Sequence, residues 1–250
     1  MTISKIPAFK PSSDLLKGKT ILVTGAGDGI GATAAKSFAC HGATVIIAGR
    51  TVAKLEQVYD AIVAAGNPEP TIFPIDLEGA TDSDYATLAD AIAEQFGMLD
   101  GLLHNAALLG QRAPLANAST AVWEQVLKVN VTAEFMMTKA LLPVLEKAPS
   151  SSVVFTSSGV GRKGRAFWGA YAVSKFAVEG LCQVLADEFD GTCNIRANCI
   201  NPGATRTRMR AAAYPAEDPG TLKTAQDLMP AYLYLISDAS REHNGQSFDV

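Results

Sequence analysis

Apolar and polar positions along the chain fall into two alternating patterns. Short runs rich in β-branched residues, 20–24 (TILVT) and 43–48 (ATVIIA), are each followed by a stretch with apolar residues at helical spacing. Residues 29–41 turn small and apolar side chains to one side, and residues 51–65 place Leu55, Val58, Tyr59 and Ile62 on one face. Further apolar runs occur at 71–75, 101–104, 152–156 and 196–200, each separated from the next by a helical stretch. Strands alternating with helices predict an α/β fold, a parallel sheet doubly wound with helices on both faces. No Pro-, Gly- or Ser-rich linker divides the chain and no period repeats, so residues 1–250 are expected to form a single domain. Pro7 and Pro11 disfavour helix in residues 1–17, which reads as an extended N-terminal arm. Residues 203–224 are rich in Arg, Ala and Pro with weak periodicity, and read as a mobile excursion above the sheet.

Composition narrows the class. Among 250 residues, 48% are hydrophobic and 18% charged, which excludes a disordered chain, a collagen-like repeat and a coiled coil. The 21 Lys and Arg against 25 Asp and Glu leave a net charge of −4, and no global field to capture polyphosphate, so nucleic acid is not the expected partner. Cys40, Cys182, Cys193 and Cys199 form no C-x-x-C pair and have no metal spacing with His41, His104 or His243. They read as buried free thiols in a reducing compartment, without a metal site. The first residues lack the apolar core of a signal peptide, and no run of about 20 apolar residues follows, so no membrane partner is expected and the expected location is the cytoplasm.

The chemistry concentrates at strand ends. Thr24-Gly25-Ala26-Gly27-Asp28-Gly29-Ile30-Gly31 stands where the first strand of this pattern turns into the first helix. Glycines there let backbone N–H groups approach a pyrophosphate at the positive end of the helix, so the turn predicts dinucleotide binding and a Rossmann-type sheet. At the end of the next strand an NAD site usually carries an acid for the ribose hydroxyls; here Arg50 follows Gly49, which suits a 2′-phosphate and predicts NADP(H) over NAD(H). The alternative is a solvated arginine at a strand end. Tyr171 and Lys175 sit at i and i+4, on one face of a helix. An ammonium beside a phenol stabilises the phenolate and brings proton transfer nearer to neutral pH. The pair follows a strand and the hydroxyls Ser157-Ser158.

With these motifs in this order, the chain resembles the classical short-chain dehydrogenases/reductases over nearly its whole length. TGAGDGIG is similar to the family's cofactor turn, Asp76-Leu77 to its adenine-contacting acid, and Asn105-Ala106 to the core of its N-N-A-G motif. Asn130, Ser158, Tyr171 and Lys175 fit its catalytic tetrad, and Asn201-Pro202-Gly203 with Thr207 its nicotinamide-side P-G motif. FTSSGVGRKGRAFWGAY and NCINPGATRTRMR look most like the YciK group of bacterial oxidoreductases. The reading HNAA departs from the family: His104 and Ala107 replace Asn and Gly, and His104 is expected to be a hydrogen-bonded strand-end residue without a catalytic role.

The resemblance implies hydride transfer between nicotinamide and a carbonyl or secondary alcohol. Tyr171 would be the general acid/base, Ser158 would bond the same oxygen, Lys175 would assist the tyrosine and hold the ribose, and Asn130 would complete a water-linked proton relay. It implies a cofactor site of Gly25, Asp28, Gly29, Ile30, Gly31, Arg50, Asp76, Leu77, Asn105, Ala106, Tyr171, Lys175, Pro202, Gly203, Thr205 and Thr207. Arg162, Arg165, Arg206, Arg208 and Arg210 on segments flanking the cleft admit an anionic substrate; the alternative is that they face water or hold the loop by surface ion pairs. Phe167 and Trp168 could line an apolar wall, or serve as core or dimer contacts. The helix over 171–189 carries Phe176, Val178, Leu181, Val184 and Leu185, more apolar surface than one side needs, and with the family's habit this predicts a homodimer or homotetramer. Two competing readings are an idle dinucleotide-binding sensor and another reaction on the same frame, such as epimerisation or dehydration.

Overall fold

The apolar runs become strands of one sheet. The computed structural model describes residues 3–192 and 194–250, and Cys193, one of the expected thiols, lies outside them. The strands are β1 (Ile3–Lys5), β2 (Thr20–Thr24), β3 (Thr44–Gly49), β4 (Thr71–Pro74), β5 (Gly101–His104), β6 (Ser151–Thr156), β7 (Ile195–Asn201) and β8 (Ser247–Asp249). All pair in parallel, in the order β1-β8-β7-β6-β5-β2-β3-β4. The helices are α1 (Gly29–Cys40), α2 (Val52–Ala64), α3 (Asp82–Gln95), α4 (Thr120–Leu127), α5 (Ala133–Leu145), α6 (Gly169–Glu188), α7 (Arg208–Ala213) and α8 (Met229–Ile236).

Strands β2, β5 and β6 are buried at every position. Alternate side chains therefore feed two cores. Ile21 and Val23 pack with Phe38 of α1, Leu55 of α2 and Tyr232 of α8, while Leu22 packs with Tyr85 of α3, Met137 of α5 and Val178 of α6. Each such side chain stabilises by about 1.5–3 kcal/mol when fully withdrawn from water. The chain leaves β2 for β3 on one side and reaches β5 on the other, so the order reverses between β2 and β5. Ligands of open α/β sheets bind in the crevice at the carboxyl ends of strands at such a reversal.

Some expectations change. The N-terminal arm is not merely extended: Ile3–Lys5 adds an edge strand to β8. The excursion over 203–224 contains a helix, α7, whose start is capped by Thr207 accepting from the Arg210 N–H. Its ends are drawn together by a bridge between Thr205 and Lys223. Cys182 and Cys199 are buried free thiols as expected, but Cys40, at the end of α1, is exposed. Among the described residues no helix is long and apolar enough to cross a membrane.

Candidate active site

A cleft of 640 Å³ opens along the carboxyl ends of β2, β3, β5, β6 and β7. One end is built on the glycine turn. Gly25 has φ 65°, and a Cβ there would lie 2.9 Å from the Ala106 Cα; a Cβ on Gly31 would lie 2.3 Å from the Gly25 carbonyl oxygen and 2.6 Å from the Asn105 amide nitrogen. Only glycine lets β2, α1 and the end of β5 close on one another here. Thr24 completes the joint: its hydroxyl donates to the Leu103 carbonyl at 3.3 Å and accepts from the N–H groups of Asn105 (3.0 Å) and Ala106 (3.1 Å). Asp28 caps α1 by accepting from the Gly29 N–H at 2.8 Å, and takes Lys54 at 2.7 Å and Arg208 at 3.2 Å. The Lys54 hydrogen bond, foremost, holds the Asp28 carboxyl below its ordinary range.

Along this end the cleft is lined by Gly25, Asp28, Gly29, Ile30, Arg50, Asp76, Leu77, Asn105 and Ala106. Gly31 does not face the cleft; it serves the close packing beneath it. Arg50 is exposed and has no carboxylate within salt-bridge distance among the described residues. Lys54 also lines the cleft. Sequence reasoning passed over it, since on the strand-end pattern Lys54 was only a polar position of α2.

The other end is built by β6 and α6. Lys175 is 1% exposed, donates to the Thr156 carbonyl at 2.7 Å, and stands 5.9 Å from the centre of the Tyr171 ring. A buried ammonium with one carbonyl partner keeps two donors for other groups. Ser158 leads into a short turn where its Oγ accepts from the Val160 N–H at 3.4 Å, leaving its own O–H free to donate. Ser158, Tyr171 and Lys175 all line the cleft, as do Pro202, Gly203, Thr205 and Thr207. The segment after β7 is tied down by Gly203 N–H to Asn201 Oδ1 at 3.1 Å and by Asn201 to Asp249 at 2.8 Å. It folds back over the turn, so that Thr207 comes within 3.6 Å of where a Gly29 Cβ would lie.

Asn130 is fully buried and does not line the cleft. It sits in a wide π turn, Lys128–Thr132, where its Oδ1 accepts from the Leu108 N–H at 2.7 Å and its Nδ2 donates to the Leu108 carbonyl at 2.9 Å and the Ser174 hydroxyl at 3.0 Å. Its side chain is thus spent on two segments that border the cleft. His104 is buried, stacks on Phe155 at 4.9 Å and bonds Thr138 at 2.8 Å. Burial pushes its pKa down to about 3, so it is neutral, as a hydrogen-bonded strand-end residue should be.

Four of the five flanking arginines have partners within the protein. Arg162 binds Glu179 at 3.3 Å, Asp249 at 2.5 Å and Ser247; Arg206 binds the Pro219 carbonyl; Arg208 binds Asp28; and Arg210 binds Glu217. Arg165 is exposed. Trp168 is 8% exposed and lines the cleft beside Tyr171, with ring centres 5.7 Å apart. Phe167 instead is half exposed, with φ 72°, a left-handed conformation that costs a non-glycine residue about 1–3 kcal/mol and tends to be kept where a site needs it.

The short chain dehydrogenase family model matches residues 19–218. The oxidoreductase YciK of Escherichia coli strain K12 is 53% identical over 97% of this chain and 95% of its own length. A short chain dehydrogenase from Shigella flexneri 2a, solved in complex with NADP, superposes with a TM-score of 0.93 at 52% identity, covering 95% of this chain and 99% of that one. One from Escherichia coli CFT073, complexed with NADPH, gives 0.93 at 54% identity, covering 96% and 99%. With a doubly wound parallel sheet, a glycine turn at its reversal point and these relatives over nearly its whole length, the chain belongs to the short-chain dehydrogenase family of oxidoreductases.

Proposed function

We propose that the chain is an NADP(H)-dependent carbonyl reductase or secondary-alcohol dehydrogenase of the cytoplasm, working as a homodimer or homotetramer. The observation that carries this reading is one cleft with an unpaired Arg50 at one end and Ser158, Tyr171 and Lys175 together at the other. The NADP and NADPH held by relatives more than half identical support the choice of cofactor.

The residues fit such a group. The N–H groups of the glycine turn and the capped start of α1, from Gly25 to Ile30, would take the pyrophosphate, with Gly31 packed beneath them; Arg50, with Lys54 of the same cleft, the 2′-phosphate; Asp76 and Leu77 the adenine; Asn105 and Ala106 the neighbouring ribose. Pro202, Gly203, Thr205 and Thr207, with Tyr171 and Lys175, would hold the nicotinamide side. When bound, the cofactor supplies or accepts the hydride. Tyr171 gives the proton to the developing alkoxide oxygen, or takes it in the reverse direction, while the free O–H of Ser158 donates to the same oxygen. Lys175, locked by Thr156, uses its remaining donors on the cofactor ribose and keeps positive charge near the phenol. Asn130 is a positioning residue: through Ser174 and Leu108 it holds α6 and the segment after β5 in place.

Tyr171→Phe removes the acid and keeps the ring. Turnover of ketones with NADPH is expected to fall by about two to four orders of magnitude, with NADPH affinity nearly unchanged by fluorescence titration. Unimpaired turnover in that variant would overturn the assignment of Tyr171 as the acid/base.

A further inference from the structure

Arg112 lies between β5 and α4, on a segment where sequence reasoning found no chemistry. Its guanidinium carbon stands 4.6 Å from the centre of the Trp168 ring and 4.9 Å from that of Tyr214, and its Nη1 donates to the Ala213 carbonyl. Trp168 and Ala213 line the cleft near Tyr171, with Leu109 and Met209 beside them. Arg112 is itself exposed and outside the lining of the cleft, and adjoins it through Trp168 and Ala213, the two lining residues it touches.

Stacking uses the two faces of a guanidinium and leaves its N–H donors in the plane of the group. One edge donor of Arg112 is spent on Ala213, and no carboxylate lies within salt-bridge distance of it among the described residues. Arg210 differs: it stacks on Tyr214 at 3.8 Å but is neutralised by Glu217 through bonds of 2.6 and 2.5 Å. The acidic residues lining the cleft, Asp28 and Asp76, belong to the glycine-turn end. The substrate end therefore combines an apolar wall with Lys175, which the proposed chemistry uses, and beside that wall a preoriented cation, Arg112, that no carboxylate neutralises among the described residues.

We propose that Arg112 determines specificity for substrates carrying a carboxylate, whose apolar body packs against Trp168. This rests on the reading of the cleft given above. A carboxylate meets the planar fork of a guanidinium with parallel hydrogen bonds and faces no acidic side chain at this end. The anion is taken by a residue outside the arginine cluster of the flanking segments, most of which the protein uses internally.

The test compares 4-oxocyclohexanecarboxylate with its methyl ester, each with NADPH, in the wild type and in Arg112→Gln, which keeps a planar group without the charge. The wild type is expected to favour the acid in kcat/KM, and R112Q to lose about tenfold or more for the acid while the ester changes by less than about threefold. Equal losses for both, or a wild type that prefers the ester, would overturn the proposal and leave Arg112 as a clasp between loops. Calorimetry separates this from failure of the reductase reading, since it registers NADPH and then cyclohexanecarboxylate without turnover. If neither ketone reacts, cyclohexanecarboxylate binding to the NADPH complex that weakens about tenfold in R112Q upholds the anion site alone. Absent binding, or binding indifferent to the substitution, overturns it.

Discussion

Both carboxylate oxygens of Glu134, in the first turn of α5, are buried without a hydrogen-bond partner among the described residues. Burial pushes its pKa from 4.5 up to about 8, against the pull of the Lys175 ammonium. The thiol of Cys199 shares the region and is pushed up, chiefly by its own burial. The folded protein therefore holds a proton on Glu134 that the unfolded chain releases near pH 4.5, and the stability tied to it fades as pH rises from about 4.5 to about 8. His104 acts oppositely: its pKa falls from 6.5 to about 3, so its contribution fades as pH drops through that window. Glu134→Gln removes only the first effect. Urea unfolding at pH 5 and pH 8.5 is expected to show the wild type losing on the order of a few kcal/mol relative to E134Q at the higher pH. A difference independent of pH would mean that Glu134 is ionised throughout. Single residues were unevenly legible. Gly25, Arg50, Tyr171 and Lys175 announce themselves by type and spacing, whereas Glu134 and Arg112 look like ordinary polar positions, because their meaning lies in what surrounds them.

At the scale of elements, α6 shows both sides of this. Its pattern predicted surplus apolar surface, and the structure divides it: Val178 and Leu185 are buried, while Phe176 is 46% and Val184 54% exposed. Phe135 on α5 is 50% exposed as well. We propose that this apolar surface on the two helices is an association face. Light scattering at micromolar concentration is expected to give a dimer or tetramer, and Phe176→Asp combined with Val184→Asp a monomer with an unchanged circular-dichroism spectrum. A monomeric wild type would remove α6 from that role. The central strands were readable because runs apolar at every position can only be buried on both faces. β1 and β8 were not, since three residues carry no period and each is a strand only because the other, or β7, lies beside it. Helix α7 was missed for a related reason: six residues make a helix here through the Thr207 cap and the Thr205 to Lys223 bridge, not through periodicity.

At the scale of the molecule, the two cores share every central strand, so neither face of the sheet can open without exposing the other. We expect residues 1–250 to unfold as one domain in a single transition, with fluorescence and circular dichroism coinciding. NADPH at about 100 times its Kd should raise the stability of that transition by about 2.7 kcal/mol, and NADH far less. Two separated transitions would refute the single domain, and equal stabilisation by both nucleotides would leave Arg50 as a surface residue. The amino-acid sequence by itself determined the strands of the central sheet, their parallel pairing, the glycine turn and the Tyr171–Lys175 pair, because each is written in residue type at short, periodic spacing. The tertiary structure alone decided which arginines are consumed by Glu179, Asp249, Asp28 and Glu217 and that others, Arg50 and Arg112 among them, meet no carboxylate among the described residues. It alone placed Asn130 beneath the cleft and Glu134 in the dark behind Lys175. Charge pairing and burial depend on distances between segments far apart in the chain, and no local pattern encodes those.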